Sequence, residues 1–136
     1  MLFFQLPRVP ELLLSGRDFG LVRRSLAGDG LSPDTVIDLL RGVRPPGALR
    51  AAINWYRAGC RDVITQRLVP RRVDIPTLVI WGDGERYLDR ELADPPSDCV
   101  TNARVVHIPE ASHWVHHDAP EKVSALLVDH FRGHEG

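Results

Sequence analysis

Hydrophobic positions change their spacing near residue 70, and this change divides the chain into two parts. Before about residue 72, apolar residues recur at the spacing of short helices. One helix is predicted to begin at Ser32-Pro33-Asp34, which supplies an N-cap, a first-turn proline and an early acid. Pro45-Pro46-Gly47 should end it. Its apolar positions are Val36, Ile37, Leu40 and Val43.

A second helix is predicted to carry the aromatic neighbours Trp55 and Tyr56. One face holds Leu49, Ala52, Ile53, Tyr56 and Cys60, and the other holds Arg50, Asn54, Arg57 and Arg61. Tyr56 should therefore point inward, toward other protein. An inward tyrosine needs either a partner for its hydroxyl or a wet cavity, so core packing and active-site lining both remain open.

The second part of the chain has an α/β pattern. A basic, proline-flanked connector is predicted from Arg61 to Pro76. The unbroken apolar run at 77–81 ends at Gly82, which is typical of a strand buried on both faces of a parallel sheet. Residues 103–109 predict a second strand.

The chain is predicted to end in a helix. Asp118 and Glu121 have the spacing of a capping box. The residues expected to face inward are Val123, Leu126, Leu127 and Phe131.

Two strands are too few for such a sheet. A parallel strand that is apolar on both sides needs neighbouring strands and helices over both faces. Two strands alone are marginally stable. We therefore interpret the second part as a piece of a larger sheet, whose other strands would lie upstream.

Composition narrows the function classes. The 136 residues include 43% hydrophobic ones, which suffice for a core, and 18 acidic against 17 basic residues give a net charge of −1. With a net charge so close to zero, no overall electrostatic attraction favours binding to nucleic acid, and no run of basic residues alternates with aromatic ones as a nucleic-acid groove would need.

No apolar stretch approaches the roughly 20 residues of a membrane span, and no signal peptide is evident. Two cysteines favour a reducing compartment, so we expect a cytoplasmic protein.

Candidate chemistry follows each predicted strand. Asp83 and Glu85 come after the first strand, where ligands sit in open α/β sheets, although a solvated acidic turn would look the same. His113 comes after the second strand. An acid followed by a histidine at the next strand end matches the late order of hydrolase triads. In that pairing the carboxylate fixes one imidazole nitrogen, and the other is free to take a proton.

The same segment contains three histidines that could suggest a metal site. His113, His116 and His117 could bind a divalent ion, but no carboxylate or cysteine completes a recognised ligand motif. We expect no metal.

Four segments together resemble a known family. They are FFQLP at 3–7, GALRAAINWYRA at 47–58, PTLVIWG at 76–82 and ASHWV at 111–115. They resemble the C-terminal half of α/β-hydrolases of the epoxide hydrolase group. The resemblance implies a partial α/β-hydrolase fold, with a helical cap segment over 1–70. The last two parallel strands and the C-terminal helix of the hydrolase core would occupy 71–136.

The resemblance also implies roles for individual residues. His113 would activate water to hydrolyse an ester formed on an aspartate, and Glu85 would be the charge-relay acid, with Asp83 as the alternative. Many relatives have Asp at the position of Glu85. Tyr56 would hydrogen-bond the epoxide oxygen, while Trp55 and Trp114 would line the substrate pocket. The substrate would be small, apolar and epoxide-like, and no cofactor is implied.

The family's nucleophile is not found in this sequence. Its aspartate elbow and its His-Gly-Xaa-Pro oxyanion loop belong to an N-terminal half, and neither motif occurs here. Without the nucleophile no ester can form, so we expect this chain to be inactive alone. The reading frame could then be a fragment, with the missing half as a possible partner. The alternatives are a fragment of a haloalkane or haloacetate dehalogenase-like hydrolase, or a truncated, non-catalytic binding module.

Overall fold

A computed structural model describes residues 2–65 and 72–133 of the chain. The chain divides into two compact units, Met1–Val69 and Pro70–Gly136. The first unit is helical and the second is α/β. The predicted connector begins inside the last helix of the first unit, and its residues 66–71 lie outside the described residues.

The helical unit contains a short 3₁₀ helix and three α-helices. The 3₁₀ helix covers Leu2–Gln5, and it is followed by α1 (Val9–Gly28), α2 (Pro33–Val43) and α3 (Ala48–Ile64). Helix α1 is interrupted at 16–19, where the backbone leaves helical geometry.

The predicted start of α2 is confirmed. Ser32 is the N-cap, and its hydroxyl oxygen accepts a hydrogen bond from the Thr35 amide at 3.2 Å. Val36 and Leu40 are buried, whereas Ile37 is exposed.

The predicted inner face of α3 is only partly correct. Ile53 is buried, with 2% of its surface exposed, but Ala52 lies on the surface and Tyr56 is 40% exposed. Arg57, predicted on the polar face, is instead partly buried. The reason is that the segment before α1 offers carbonyl oxygens to its guanidinium group, which periodicity along α3 cannot reveal.

The α/β unit contains two parallel strands, β1 (Thr77–Gly84) and β2 (Ala103–Ser112). Their register runs from Thr77 opposite Ala103 to Gly82 opposite Ile108. Both strands are longer than predicted, so Asp83 lies within β1 and not in a loop.

The carboxyl ends of the strands meet at an irregular pairing. After Gly82 the register shifts, and Gly84 lies opposite Ser112. A Cβ atom on Gly82 would lie 2.2 Å from the Ser112 carbonyl oxygen. Only glycine therefore allows this close approach, which brings the residues after β1 next to those after β2.

The expected burial of β1 on both faces is not met within the described residues. Its positions from Thr77 to Trp81 are only partly buried, and Gly82 is the one buried position of the strand. The described part of the sheet has two strands. Apolar residues on both faces of a parallel strand need more cover than these residues supply.

The C-terminal region folds into two helices, α4 (Val115–Asp118) and α5 (Pro120–Arg132). The predicted capping box is wrong, because Ala119 is the N-cap of α5 and no side chain caps it. Asp118 instead bonds to Ser112. On α5, Leu127 and Phe131 are exposed, contrary to expectation. Within the described residues, no helix is long and apolar enough to cross a membrane.

Candidate active site

Glu85 follows directly on β1 and is held in a defined orientation. Its amide donates to the Gly82 carbonyl at 3.1 Å, which closes a tight turn. Its Oε1 accepts a hydrogen bond from the Tyr87 amide at 2.6 Å. The side chain is only 8% exposed. The second carboxylate oxygen, Oε2, is thereby directed toward the end of β2.

His113 follows directly on β2 and meets that oxygen. Its Nδ1 lies 2.5 Å from Glu85 Oε2. Burial by itself would raise the pKa of Glu85, but hydrogen bonds from His113 and from the Tyr87 amide outweigh it and lower that pKa below its ordinary value. An ionised carboxylate can only accept a hydrogen bond, so Nδ1 of His113 donates.

The other nitrogen of His113 is open. No described residue hydrogen-bonds to Nε2, and the side chain is 38% exposed. The Tyr87 and Trp114 rings meet the imidazole in edge-on arrangements, with centroids at 5.1 Å and 5.5 Å. With Nδ1 protonated, Nε2 presents a lone pair that can accept a proton.

Asp83, the alternative acid, pairs with a different histidine. Its Oδ1 lies 2.7 Å from His107 Nδ1 and 3.5 Å from the Arg90 guanidinium. The sequence did not indicate a role for His107. In the register of the sheet it lies opposite Trp81. Of the two candidate acids, Glu85 is therefore the one that contacts His113.

The loop that carries His113 is tied down on both sides of the histidine. Asp118 Oδ2 accepts hydrogen bonds from the Ser112 amide at 2.7 Å and from the Ser112 hydroxyl at 2.5 Å. The Ser112 oxygen in turn accepts from the Trp114 amide at 3.1 Å. Sequence reasoning assigned Asp118 to helix capping and so missed this arrangement.

Tyr56 and Trp55 belong to the helical unit. The Tyr56 ring stacks on Phe4, with centroids 4.8 Å apart and an interplanar angle of 19°. Trp55 is 80% exposed. The aromatic pair thus presents accessible surface on α3, with Tyr56 oriented by the segment that precedes α1.

Arg57, next to Tyr56, fixes this segment. It forms a bidentate pair with Glu11, at 2.7 Å and 3.1 Å. Its other hydrogen bonds reach the carbonyls of Phe4 and Leu6 and the side chain of Asn54. The five N–H groups of the guanidinium are all used. The hydrogen bond from Arg57 is the main cause that lowers the pKa of Glu11.

The described residues contain no group of three or more histidine, cysteine, aspartate or glutamate side chains that could hold a metal ion. His116 and His117 lie side by side, with ring centroids 4.4 Å apart. Burial, followed by repulsion from His117, lowers the pKa of His116.

Comparison with known proteins shows that the chain is similar to several hydrolases. The chain is 31% identical to an AB hydrolase superfamily protein, YfhM, of Bacillus subtilis, over 96% of the chain and 46% of the relative. It is 33% identical to epoxide hydrolase 3 of Xenopus tropicalis and 30% identical to human epoxide hydrolase 4, covering 36% of each. The chain thus spans less than half the length of these relatives. No protein-family model matches it.

Two solved structures share the fold. Cfl2 of Burkholderia cenocepacia gives a TM-score of 0.78, and a variant of an epoxide hydrolase from Bacillus megaterium gives 0.74. Each is 22% identical, and the matches cover 46% and 49% of those proteins. The chain has a partial α/β-hydrolase fold, as predicted. Its predicted resemblance to α/β-hydrolases and to the epoxide hydrolase group is confirmed.

Proposed function

We propose that this chain supplies the charge-relay acid, the base and a ring-opening tyrosine of an enzyme that hydrolyses epoxides to diols. Glu85 orients His113, His113 activates water, and Tyr56 hydrogen-bonds the epoxide oxygen. Trp114, whose ring meets the imidazole of His113 edge-on, lines the apolar part of the substrate pocket. No cofactor takes part.

The reaction proceeds in two steps. An aspartate carboxylate attacks an epoxide carbon, the carbon–oxygen bond of the ring breaks, and the released oxygen takes the Tyr56 proton. An ester of the aspartate results. His113 Nε2 then removes a proton from water, and the hydroxide attacks the ester carbonyl. The tetrahedral intermediate then collapses, the ester bond breaks, and the departing alkoxide takes the proton of the added hydroxyl group, which releases the diol and restores the aspartate carboxylate. The proton held by His113 returns to Tyr56 through solvent, so one water is consumed for each epoxide.

The observation that carries this proposal is the contact between Glu85 and His113. The 2.5 Å approach of Oε2 to Nδ1 leaves Nε2 of the imidazole open. The two residues follow neighbouring parallel strands, where α/β enzymes bind their ligands. The lowered pKa of Glu85 keeps the acid ionised at neutral pH, as a charge-relay acid must be.

The nucleophile is proposed to come from polypeptide outside these 136 residues. The sequence contains neither the aspartate elbow nor the oxyanion loop of the family. In this scheme residues 1–70 form the cap segment and 71–136 the C-terminal part of the core. The chain is then inactive alone, and it gains activity when an N-terminal half completes the sheet. The two free cysteines agree with a cytoplasmic location.

Complementation tests the proposed function. The chain would be expressed alone, and together with the portion of the Bacillus subtilis relative that has no counterpart in it. Each preparation would be assayed for diol formation from a panel of small apolar epoxides. We expect diol only from the combined preparation.

Two variants assign that activity to the proposed base. His113→Ala should lower the rate about 10²- to 10⁴-fold, the usual contribution of a general base. His116→Ala, in helix α4 soon after His113 but without contact to Glu85, should not. Diol formation that survives His113→Ala would contradict the proposal, as would an assembled complex that forms no diol. Release of halide from haloalkanes or haloacetates instead would identify the dehalogenase alternative.

A further inference from the structure

The segment from Ser112 to Asp118, which contains His113, ends in a carboxylate that neither caps a helix nor takes part in the proposed reaction. Asp118 is the last residue of α4, five positions after the histidine. It does not cap the helix that follows, because α5 has Ala119 at its N-cap and no capping side chain. The hydrogen bonds of its carboxylate go back to Ser112.

The carboxylate of Asp118 binds one neighbour of His113 directly and reaches the other through Ser112. On one side, a single oxygen of Asp118 accepts from the amide and the hydroxyl of Ser112, at 2.7 Å and 2.5 Å. On the other side, the Trp114 amide donates to the Ser112 hydroxyl oxygen at 3.1 Å. Because the Ser112 hydroxyl gives its proton to Asp118, its oxygen is free to accept from Trp114.

The peptide groups on both sides of the imidazole are therefore held in one network. Trp114 is also fixed through its carbonyl oxygen, which accepts from the amides of His117 at 2.7 Å and Asp118 at 3.0 Å. The backbone on either side of His113 has little freedom left. The direction in which its side chain leaves the backbone is then set by this network.

We propose that Asp118 is a positioning residue for His113, acting through Ser112. It holds the loop in the conformation that keeps Nδ1 of the imidazole on Glu85 and leaves Nε2 open. This role deepens the proposed function, since it matters to the reaction only if His113 is the base. Asp118 does not touch the reacting atoms.

Nitrogen NMR of the histidine-labelled chain measures this role without any assay of activity. Imidazole ¹⁵N shifts report which ring nitrogen carries the proton. The wild-type chain should show His113 protonated at Nδ1. In Asp118→Ala the ratio of the Nδ1–H to the Nε2–H form should fall about fivefold, the size expected for the loss of one net hydrogen bond.

Three further variants separate positioning from general destabilisation. Asp118→Asn keeps an oxygen that can accept from Ser112 and should retain most of the wild-type ratio. Ser112→Ala removes the acceptor of the Trp114 amide and should lower the ratio. Asp129→Ala removes another exposed carboxylate of the same unit, one that pairs with Arg104 at 2.7 Å, and should leave His113 unchanged.

The outcomes are distinguishable from failure of the proposed function. If the neutral ring of His113 in the wild-type chain carries its proton on Nε2, the pairing with Glu85 is wrong and the proposed function fails with it. If wild type is protonated at Nδ1 but Asp118→Ala and Ser112→Ala keep that ratio, only the positioning role is overturned. An equal change in Asp129→Ala would also overturn it. Should Asp118→Ala not fold, Ser112→Ala and Asp118→Asn still decide.

Discussion

The pair of Glu11 with Arg57 in the helical unit and the pair of Glu85 with His113 in the α/β unit both join a carboxylate to a nitrogen-bearing side chain, but they are built differently. In the helical unit, Glu11 meets Arg57, whose five N–H groups all have acceptors. In the α/β unit, Glu85 meets His113 through one ring nitrogen, and the other has no partner among the described residues. We call the Glu11–Arg57 pair closed, because every N–H group of the arginine is used, and the Glu85–His113 pair open, because Nε2 is not used.

The difference separates a structural contact from a reactive one. Arg57 is charged at any working pH, so its pair with Glu11 can only hold the chain together. An imidazole can take up and release a proton, and Nε2 of His113 is open for that exchange. A lowered carboxylate pKa, which Glu11 and Glu85 share, does not by itself distinguish the two roles. The open Nε2 of His113 does distinguish the two roles.

The largest effect on stability is expected from a substitution at Gly82, where the ends of β1 and β2 approach closely and bring Glu85 next to His113. In Gly82→Ala the new Cβ would lie 2.2 Å from the Ser112 carbonyl oxygen and 2.6 Å from that of Ala111. Backbone atoms cannot move aside as side-chain ends do, so we expect a loss of about 1–3 kcal/mol or more in the free energy of unfolding. Urea unfolding followed by circular dichroism measures it.

A matched control is available two residues later. In Gly84→Ala the nearest atom would be the Ala111 carbonyl oxygen, at 3.0 Å. The loss should be smaller than for Gly82→Ala. Equal stability of Gly82→Ala and wild type would show that the strand ends are not so close.

The next largest effect is expected on how the free energy of unfolding depends on acidic pH, through the carboxyl group of Glu85. Because folding lowers the pKa of this carboxyl, its stabilising contribution is full above the ordinary value of 4.5 and is lost as the pH falls through the folded value. Glu85→Gln should lower the free energy of unfolding at neutral pH by about 1 kcal/mol, since charged hydrogen bonds are stronger than neutral ones. It should also flatten the dependence on pH below 4.5.

Unfolding curves at a series of pH values test this prediction. Asp38→Asn is the control, because Asp38 lies in an exposed pair with Arg41, and such pairs contribute about 0–1 kcal/mol. A Glu85→Gln chain with the same acid sensitivity as wild type would contradict the role assigned to this carboxylate.

A smaller effect should follow from opening the closed pair. Arg57→Lys retains the charge, but an ammonium group cannot reach Glu11 and the carbonyls of Phe4 and Leu6 together. The segment before α1 should then exchange its amide hydrogens faster, as hydrogen-exchange mass spectrometry would detect. The imidazole signals of His113 should not move. A shift there would mean that the two pairs are not independent.

The smallest effect is expected on the surface of α3. In Gly59→Ala the new Cβ meets nothing within 4 Å, and alanine is the better helix former. We expect a gain of about 0.5–1 kcal/mol in the free energy of unfolding. A loss of stability, measured under the same conditions as for Gly82→Ala, would contradict the exposed position of this glycine.

The open pair could be predicted from sequence because its residues follow strands. The apolar runs at 77–81 and 103–109 predicted two neighbouring parallel strands. An acid after one and a histidine after the next must then lie close together. The choice between Asp83 and Glu85 needed the structure, because β1 extends through Asp83 and directs it to His107.

The closed pair could not be predicted, since its partners are distant in sequence and follow no periodic pattern. Helical spacing put Arg57 on the polar face of α3, and nothing in it revealed that residues 4–6 would offer carbonyl oxygens there. Asp118 was misassigned for a related reason. An aspartate at this position fits either a capping box or a hydrogen bond back to Ser112. Only the observed start of α5 distinguishes these two roles.

The most direct test of the open pair is the location of the hydrogen on the neutral form of the His113 ring in the unmodified chain. Imidazole ¹⁵N shifts, with each histidine assigned by substitution and followed over a series of pH values, provide that location. We predict that the neutral ring has its hydrogen on Nδ1, bound to Glu85, and a bare Nε2. A neutral ring with its hydrogen on Nε2 would show that Glu85 does not orient the ring, and it would contradict the assignment of His113 as the base.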